Sequence, residues 1–240
     1  MNQVPRTLIK SYLELCRVSN LPTVWTNVLA ALLLAGGGFS WRHYVVLALS
    51  LSLFYSGGMC FNDLCDAGVD RLKRPSRPIP SGRVSTRGAR VFTIVLFSTA
   101  LSLLVVVPHP LALLAGVILL LLIIAYDTLH QSRYFSILLM AGCRMTVFVV
   151  VAVAVSGTVG SSVILAGCLQ FGYVLLISAV ARHENRRSKP YAVPLVPILL
   201  AGISLLDGVV MAALISPVWL AAGIGGAVLT LAGQRFVRGD

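Results

Sequence analysis

Charge is the scarcest commodity in this sequence. Only 11% of its 240 residues are Asp, Glu, Lys or Arg, and only eight of them are acidic, against about 25% charged residues in a soluble globular domain. With 58% hydrophobic residues and a mean hydropathy of +0.91, the chain lacks the polar surface that a domain alone in water needs. An ordinary soluble fold is excluded, and the composition is that of an integral membrane protein. Cysteine is sparse as well. Cys16, Cys60, Cys65, Cys143 and Cys168 show no CxxC spacing and mostly fall in or beside apolar runs, so they read as small core hydrophobes and indicate neither a zinc site nor a disulfide framework. No charged n-region, short apolar h-region and cleavage site open the chain, which argues against a removed signal peptide. No RNP, zinc-finger or other nucleic-acid recognition pattern accompanies the net charge of +11, so nucleic acid is not an expected partner. In a membrane protein the same excess reflects basic cytoplasmic loops beside anionic headgroups.

What the chain does have is long apolar runs, at about 22–40, 44–61, 91–107, 110–126, 135–156, 162–181, 191–214 and 217–233. Each approaches or exceeds the minimum of about 17 residues for a membrane-spanning helix. The runs are separated by turn chemistry such as Gly36-Gly37-Gly38, Pro108-His109-Pro110 and Ser216-Pro217. The expected fold class is all-α, a polytopic bundle of eight spans, or nine if the last two stretches divide differently. Ahead of the spans, Ile9, Tyr12, Leu13 and Cys16 fall at i, i+3, i+4 and i+7 among Arg6, Lys10, Glu14 and Arg17. This predicts an amphipathic helix lying at the interface. With the N-terminus in the cytoplasm, seventeen of the nineteen basic residues fall on cytoplasmic segments. Only Arg42 is left on the far side, and Arg144 lies within a span. The positive-inside rule therefore predicts cytoplasmic N- and C-termini, with the polar segments 62–90 and 182–190 on the same face. No linker or low-complexity tail divides the chain, so residues 1–240 read as one domain.

Three of the eight acids are Asp63, Asp66 and Asp70, preceded by Asn62. On a helix the positions i, i+3 and i+7 share a face, so this spacing aims three carboxylates at one volume at the end of the second span. Like charges that close need a cation, and hard carboxylate oxygens suit Mg²⁺, which is bound by one or two carboxylates together with substrate phosphates. The plainer alternative is a solvated acidic helix end answered by Arg71, Lys73 and Arg74. Directly downstream, Lys73, Arg74 and Arg77 supply donors for phosphate oxygens, on a loop stiffened by Pro75, Pro78 and Pro80. Carboxylates and guanidiniums in one cytoplasmic loop point to a metal–diphosphate site.

The stretch Asn62–Asp70 followed by Arg77-Pro78-Ile79-Pro80-Ser81-Gly82 closely resembles the signature of the UbiA superfamily of intramembrane prenyltransferases. The short spacing between the two parts resembles that of chlorophyll-synthase-like members. The resemblance implies helices around a central cavity and Mg²⁺-dependent transfer of an isoprenyl group from a prenyl diphosphate to an aromatic or other lipophilic acceptor. It also implies that Asp63, Asp66 and Asp70 hold Mg²⁺ on the diphosphate while Asn62 orients the group. After the fourth span, where the family often carries a Tyr-x-x-x-Lys pattern, this chain has Tyr126 and His130, with Arg133 beyond. After the sixth span, where the family has a second Asp-rich motif, the segment Ala181–Lys189 offers Glu184 as its one carboxylate beside Arg182, Arg186, Arg187 and Lys189. Glu184 is then the candidate ligand for a second metal, and Arg182 and Lys189 are candidate diphosphate donors. An intact first motif with a reduced second one resembles the EboC-like branch of the superfamily. It leaves open a non-catalytic member that binds or moves a lipid diphosphate or another apolar metabolite.

Two polar residues inside spans complete the candidate set. Arg144 lies about nine residues into the fifth span. A lone intramembrane arginine costs about 2.5–3.5 kcal/mol on insertion scales, so it should meet an anion: the diphosphate, Asp127, or structurally Asp207. Asn27, in the first span, resembles a polar position of the family and joins the candidate substrate-binding residues.

Overall fold

The computed structural model describes residues 8–36, 38–129, 135–185 and 195–237. Among them there are ten α-helices and no strand. They are α1 (Leu8–Leu15), α2 (Leu21–Leu34), α3 (Trp41–Cys65), α4 (Ala67–Lys73), α5 (Thr86–Val105), α6 (Leu111–Thr128), α7 (Phe135–Ser156), α8 (Ser161–Asn185), α9 (Leu195–Leu214) and α10 (Leu220–Gln234). The all-α expectation holds, and each of the eight apolar runs carries one helix. Seven of these are long and apolar enough to cross a membrane, whereas the first apolar segment, Val18–Leu34, falls short of that length. The run at 22–40 is cut because the chain turns at Gly36 (φ +77°), directly after the helix-capping Ala35. Glycine takes this left-handed conformation without a Cβ penalty, which makes it a common helix stop.

The short helix α2 is the hub of the bundle and packs against α3, α7, α8, α9 and α10. Pro22 starts it at a position where the missing N–H is not needed. Its buried residues are apolar (Val24, Val28, Ala31, Leu32) and polar (Thr23, Thr26, Asn27), so polar groups enter the protein interior here. Around the hub, α3 packs on α5, α7 on both α6 and α8, and α9 on α10. The last pair approaches so closely at Gly208 and Gly223 that a Cβ on Gly208 would stand 2.7 Å from the Gly223 Cα, the close backbone approach that small residues permit between membrane helices. Leu114, Ile118 and Leu121 of α6 and Ile224 and Val228 of α10 are exposed and present the apolar surface that lipid covers. Phe39, Trp41 and Tyr44 gather in edge-on contacts at the start of α3, with the Phe39 and Trp41 rings 4.9 Å apart. Their position suits an interfacial aromatic belt.

In α1 the expected apolar face is split. Tyr12 and Cys16 turn toward the protein with the buried Ser11 and Leu15, while Ile9 and Leu13 are exposed. One side of α1 closes over a small core of Leu15, Cys16, Cys60, Ile79, Val84 and Ala89, leaving Ile9 and Leu13 to face outward.

Candidate active site

The acidic motif begins in the last turn of α3, which runs past the apolar stretch to include Asn62 and Asp63. Asp66 joins α3 to α4, and the helical backbone bonds cross the junction, from Asp66 N–H to the Asn62 carbonyl and from Asp70 N–H to the Asp66 carbonyl, both at 2.9 Å. Asp63 and Asp70 are buried and Asp66 is half-buried.

The cation that meets the acids comes from the loop. Arg77 Nη1 donates to Asp63 Oδ1 at 3.1 Å and to Asp70 Oδ2 at 2.6 Å. A second cation, Arg17, donates from Nη2 to the same Asp63 oxygen at 3.3 Å and from Nη1 to the Met59 sulfur at 3.4 Å. Arg17 adopts a left-handed backbone (φ 47°), the one positive-φ non-glycine among the described residues. That conformation follows the end of α1, and the side chain reaches Met59 and Asp63 of α3. The solvated acidic helix end is therefore not what forms: Arg71, Lys73 and Arg74 are exposed, and the acids are answered by Arg77 and Arg17. Of the three carboxylates expected to converge, two meet on one group. Asp63 and Asp70 share one guanidinium nitrogen, but no group of three or more His, Cys, Asp or Glu side chains stands close enough to hold a metal ion among the described residues. Asp66 divides α3 from α4 where the spacing assumed one helix, although the helical backbone bonds continue across it.

The loop holding Arg77 is compact. Pro78, Ile79 and Val84 are buried, and the Val84 N–H reaches the Pro78 carbonyl at 3.0 Å. Arg83 then straps the loop to α1, donating to Glu14 at 2.8 Å, to Ser11 at 3.3 Å and to the Ser76 carbonyl at 2.6 Å. On the other wall, Asn62 Nδ2 donates to Asp127 Oδ1 at 2.9 Å, and the adjacent Tyr126 is half-buried. At the end of α8, Arg182 and Glu184 are half-buried, and Glu184 Oε2 is enclosed with no hydrogen-bond partner among the described residues. His130 and Lys189 lie outside the described residues.

Deeper in the bundle the polar residues of the spans form one chain. Arg144 donates to Asn27 Oδ1 at 2.8 Å and to the Thr23 hydroxyl at 3.2 Å. Asn27 Nδ2 donates to Asp207 Oδ2 at 2.7 Å, and Gln170 Nε2 donates to Asp207 Oδ1 at 2.7 Å. Arg144 thus reaches neither of the carboxylates expected for it directly: Asp127 is held by Asn62, and Asn27 stands between Arg144 and Asp207. Sequence reasoning missed Arg17 and Gln170. For Gln170 a signal existed, an amide inside an apolar run. For Arg17 there was none beyond its charge.

An all-helical membrane bundle with paired buried acids and arginines at one end of a span defines the class. Residues 23–238 match the model of the UbiA prenyltransferase family, and the chain belongs to that family. It is 34% identical over 123 residues to digeranylgeranylglyceryl phosphate synthase of Sulfolobus acidocaldarius, a match covering 50% of this chain and 42% of that protein. With the protein of the same name from Methanococcus vannielii it shares 32% identity over 168 residues, 68% of this chain and 59% of the relative. The chain spans about half the length of these curated relatives. Its fold is that of a UbiA homolog from Archaeoglobus fulgidus solved with GPP and Mg²⁺, with a TM-score of 0.60, 16% identity, and coverage of 94% of this chain and 97% of that one.

Proposed function

We propose that this chain is a Mg²⁺-dependent intramembrane prenyltransferase that moves an isoprenyl group from a prenyl diphosphate to a glycerophosphate-type lipid, with its site open to the cytoplasmic face. The observation that carries the reading is the pair of buried carboxylates, Asp63 and Asp70, turned onto a single guanidinium nitrogen at the end of α3. Hard oxygen donors already gathered about one positive atom fit Mg²⁺, which needs only one or two carboxylates when substrate phosphates complete its shell. Asp63, Asp66 and Asp70 would hold it, with Glu184 serving a second ion. When bound, the metal supplies charge neutralisation for the departing diphosphate.

The remaining chemistry belongs to the chain's own residues. Arg77, released from the two acids, joins the exposed Lys73 and Arg74 as a donor to phosphate oxygens, and Arg182, Lys189 and His130 are the donors proposed from the facing segments. Asn62, its amide fixed by Asp127, orients the diphosphate, with Tyr126 on the same wall. The bond from the allylic carbon to oxygen breaks with its electron pair going to diphosphate. The acceptor hydroxyl then forms the new carbon–oxygen bond and passes its proton to the released diphosphate.

The acceptor class is read from the relatives. Taking one geranylgeranyl group from the product in their name, digeranylgeranylglyceryl phosphate, leaves a monoprenylated glyceryl phosphate with a free hydroxyl. This reading narrows the aromatic or other lipophilic acceptor to a lipid glycerophosphate. A non-catalytic carrier of lipid diphosphates is the second reading, and it is favoured by Glu184 being the lone carboxylate of the segment 182–189.

The test is incubation of the purified protein in nanodiscs with labelled geranylgeranyl diphosphate and geranylgeranylglyceryl phosphate, with and without Mg²⁺. A diprenylated product that needs Mg²⁺ supports the first reading. Mg²⁺-dependent binding of the diphosphate with no product, across that acceptor and a hydroxybenzoate, supports the second.

A further inference from the structure

We infer that Arg144, aimed by Asn27 and Thr23, is the recognition site for the acceptor's anionic group, a phosphate, and is separate from the diphosphate site. This rests on the prenyltransferase reading above and names the residues that select the second substrate.

The argument starts from the donors that Arg144 leaves unused. A guanidinium carries five N–H donors and no acceptor. Among the described residues Arg144 spends donors on two neutral oxygens, Asn27 Oδ1 and Thr23 Oγ1, and it has no carboxylate within salt-bridge distance. It is half-buried in the middle of α7, where a charge without a partner is costly. The nearest compensating charge, Asp207, lies beyond Asn27 and is occupied by Asn27 and Gln170. That arrangement decides the orientation of the Asn27 amide. Its NH₂ faces the carboxylate, so its oxygen must face Arg144. The network therefore holds the guanidinium in place while leaving donors unspent, as a binding group requires.

The direction in which Arg144 opens follows from Tyr55. The Tyr55 hydroxyl accepts from Asn20 at 3.1 Å, and Asn20, Thr23 and Asn27, spaced i, i+3, i+7, put that contact on the face of α2 that Arg144 meets. On α3, Tyr55, Met59 and Asn62 are spaced i, i+4, i+7 and share one face. Met59 meets Arg17 and Asn62 meets Asp127, so this is the face lining the acidic site. Arg144 thus lies on the side of the bundle that carries the acidic site, at the level of Tyr55, eight residues or about 12 Å deeper along α3 than Asp63. Two linked phosphates held at the acids are too short to reach it. An acceptor whose hydroxyl meets the allylic carbon just below the diphosphate places a phosphate on the same glycerol at about this depth.

The test measures binding as well as turnover, in nanodiscs with Mg²⁺. One arm reads the Kd of geranylgeranyl thiolodiphosphate, a non-ionising analogue of the prenyl donor. The other reads the affinity of geranylgeranylglyceryl phosphate against its phosphate-free alcohol. In the wild type the phosphate form should bind at least tenfold tighter than the alcohol. Arg144→Gln should bring that ratio near one while changing the thiolodiphosphate Kd less than twofold, and Arg144→Lys should recover part of it. Thr23→Val, which removes one aiming bond and no charge, should reduce the ratio about threefold and serves if the arginine variant does not fold. An unchanged ratio in these variants overturns the inference, as does a tenfold loss of thiolodiphosphate binding. A protein that discriminates the phosphate yet yields no product keeps this inference while the catalytic reading fails; turnover without discrimination does the reverse.

Discussion

Arg77 and Asp70 stand 2.6 Å apart, and the same guanidinium nitrogen reaches Asp63 at 3.1 Å. The arginine that the loop offers to a diphosphate is thus held by the carboxylates that would hold the metal. The two roles are exclusive at any one moment. A dication binding the acids frees the arginine for phosphate, so metal and diphosphate should bind with positive cooperativity, each removing an obstacle to the other.

Arg77→Gln tests this exchange. Removing one partner of a buried ion pair leaves uncompensated charge and costs about 3 kcal/mol or more, so the variant should melt well below the wild type in metal-free buffer. Millimolar Mg²⁺ should restore most of the loss, because a dication can take the place of the guanidinium between Asp63 and Asp70. It should restore little in Arg77→Gln combined with Asp63→Asn. Melting curves of the three proteins with and without Mg²⁺ are the measurement, and equal rescue of single and double variants would show that the ion binds elsewhere.

Asp66→Ala separates binding from folding. Asp66 is half-buried, so Tm is read beside binding and affinities are compared on protein that remains folded. Mg²⁺-dependent affinity for geranylgeranyl thiolodiphosphate should fall at least tenfold. Unchanged affinity in a folded variant would remove Asp66 from the site.

How far the sequence could foretell this arrangement depended on the range of the contact. Asn62, Asp63, Asp66 and Asp70 lie within one helical neighbourhood, so spacing was enough to group them, whereas Arg77, read as a phosphate donor, is found on Asp63 and Asp70 instead. Periodicity also located the helices. It carries no information about Asn27 meeting Asp207 across 180 positions, nor about Arg17 crossing 46 positions to Asp63. Those contacts depend on how α2 is surrounded and on a left-handed residue after α1, both products of tertiary packing. The division into α3 and α4 at Asp66 was not foreseen either, since helical backbone bonds continue across it.

Sidedness is the third prediction. The basic residues crowd the segments that put Ser85 and Arg182 on one face and Thr158 on the other. Single cysteines at these positions, in a background where the exposed Cys65 and Cys168 and the three other cysteines are replaced, should react with a membrane-impermeant maleimide from the cytoplasmic side at 85 and 182. The cysteine at 158 should react only from the other side. Ser85 and Arg182 reacting from opposite faces would refute the topology.

The last prediction concerns Glu184, whose Oε2 is enclosed without a hydrogen-bond partner among the described residues. A carboxylate oxygen in that state is costly unless something binds it, and a cation arriving with the diphosphate would satisfy it. Glu184→Gln keeps the shape and removes the charge. If the carboxylate acts mainly as charge develops on the leaving diphosphate, kcat should fall more than tenfold while the thiolodiphosphate Kd changes less than threefold, the pattern of an interaction made chiefly in the transition state. In a carrier that only binds, the same change should leave affinity similar or improve it, since a carboxylate beside a diphosphate repels it when no metal intervenes. Single-turnover rates and equilibrium binding on the same preparation separate the two cases, and a near wild-type rate would take Glu184 out of the catalytic set.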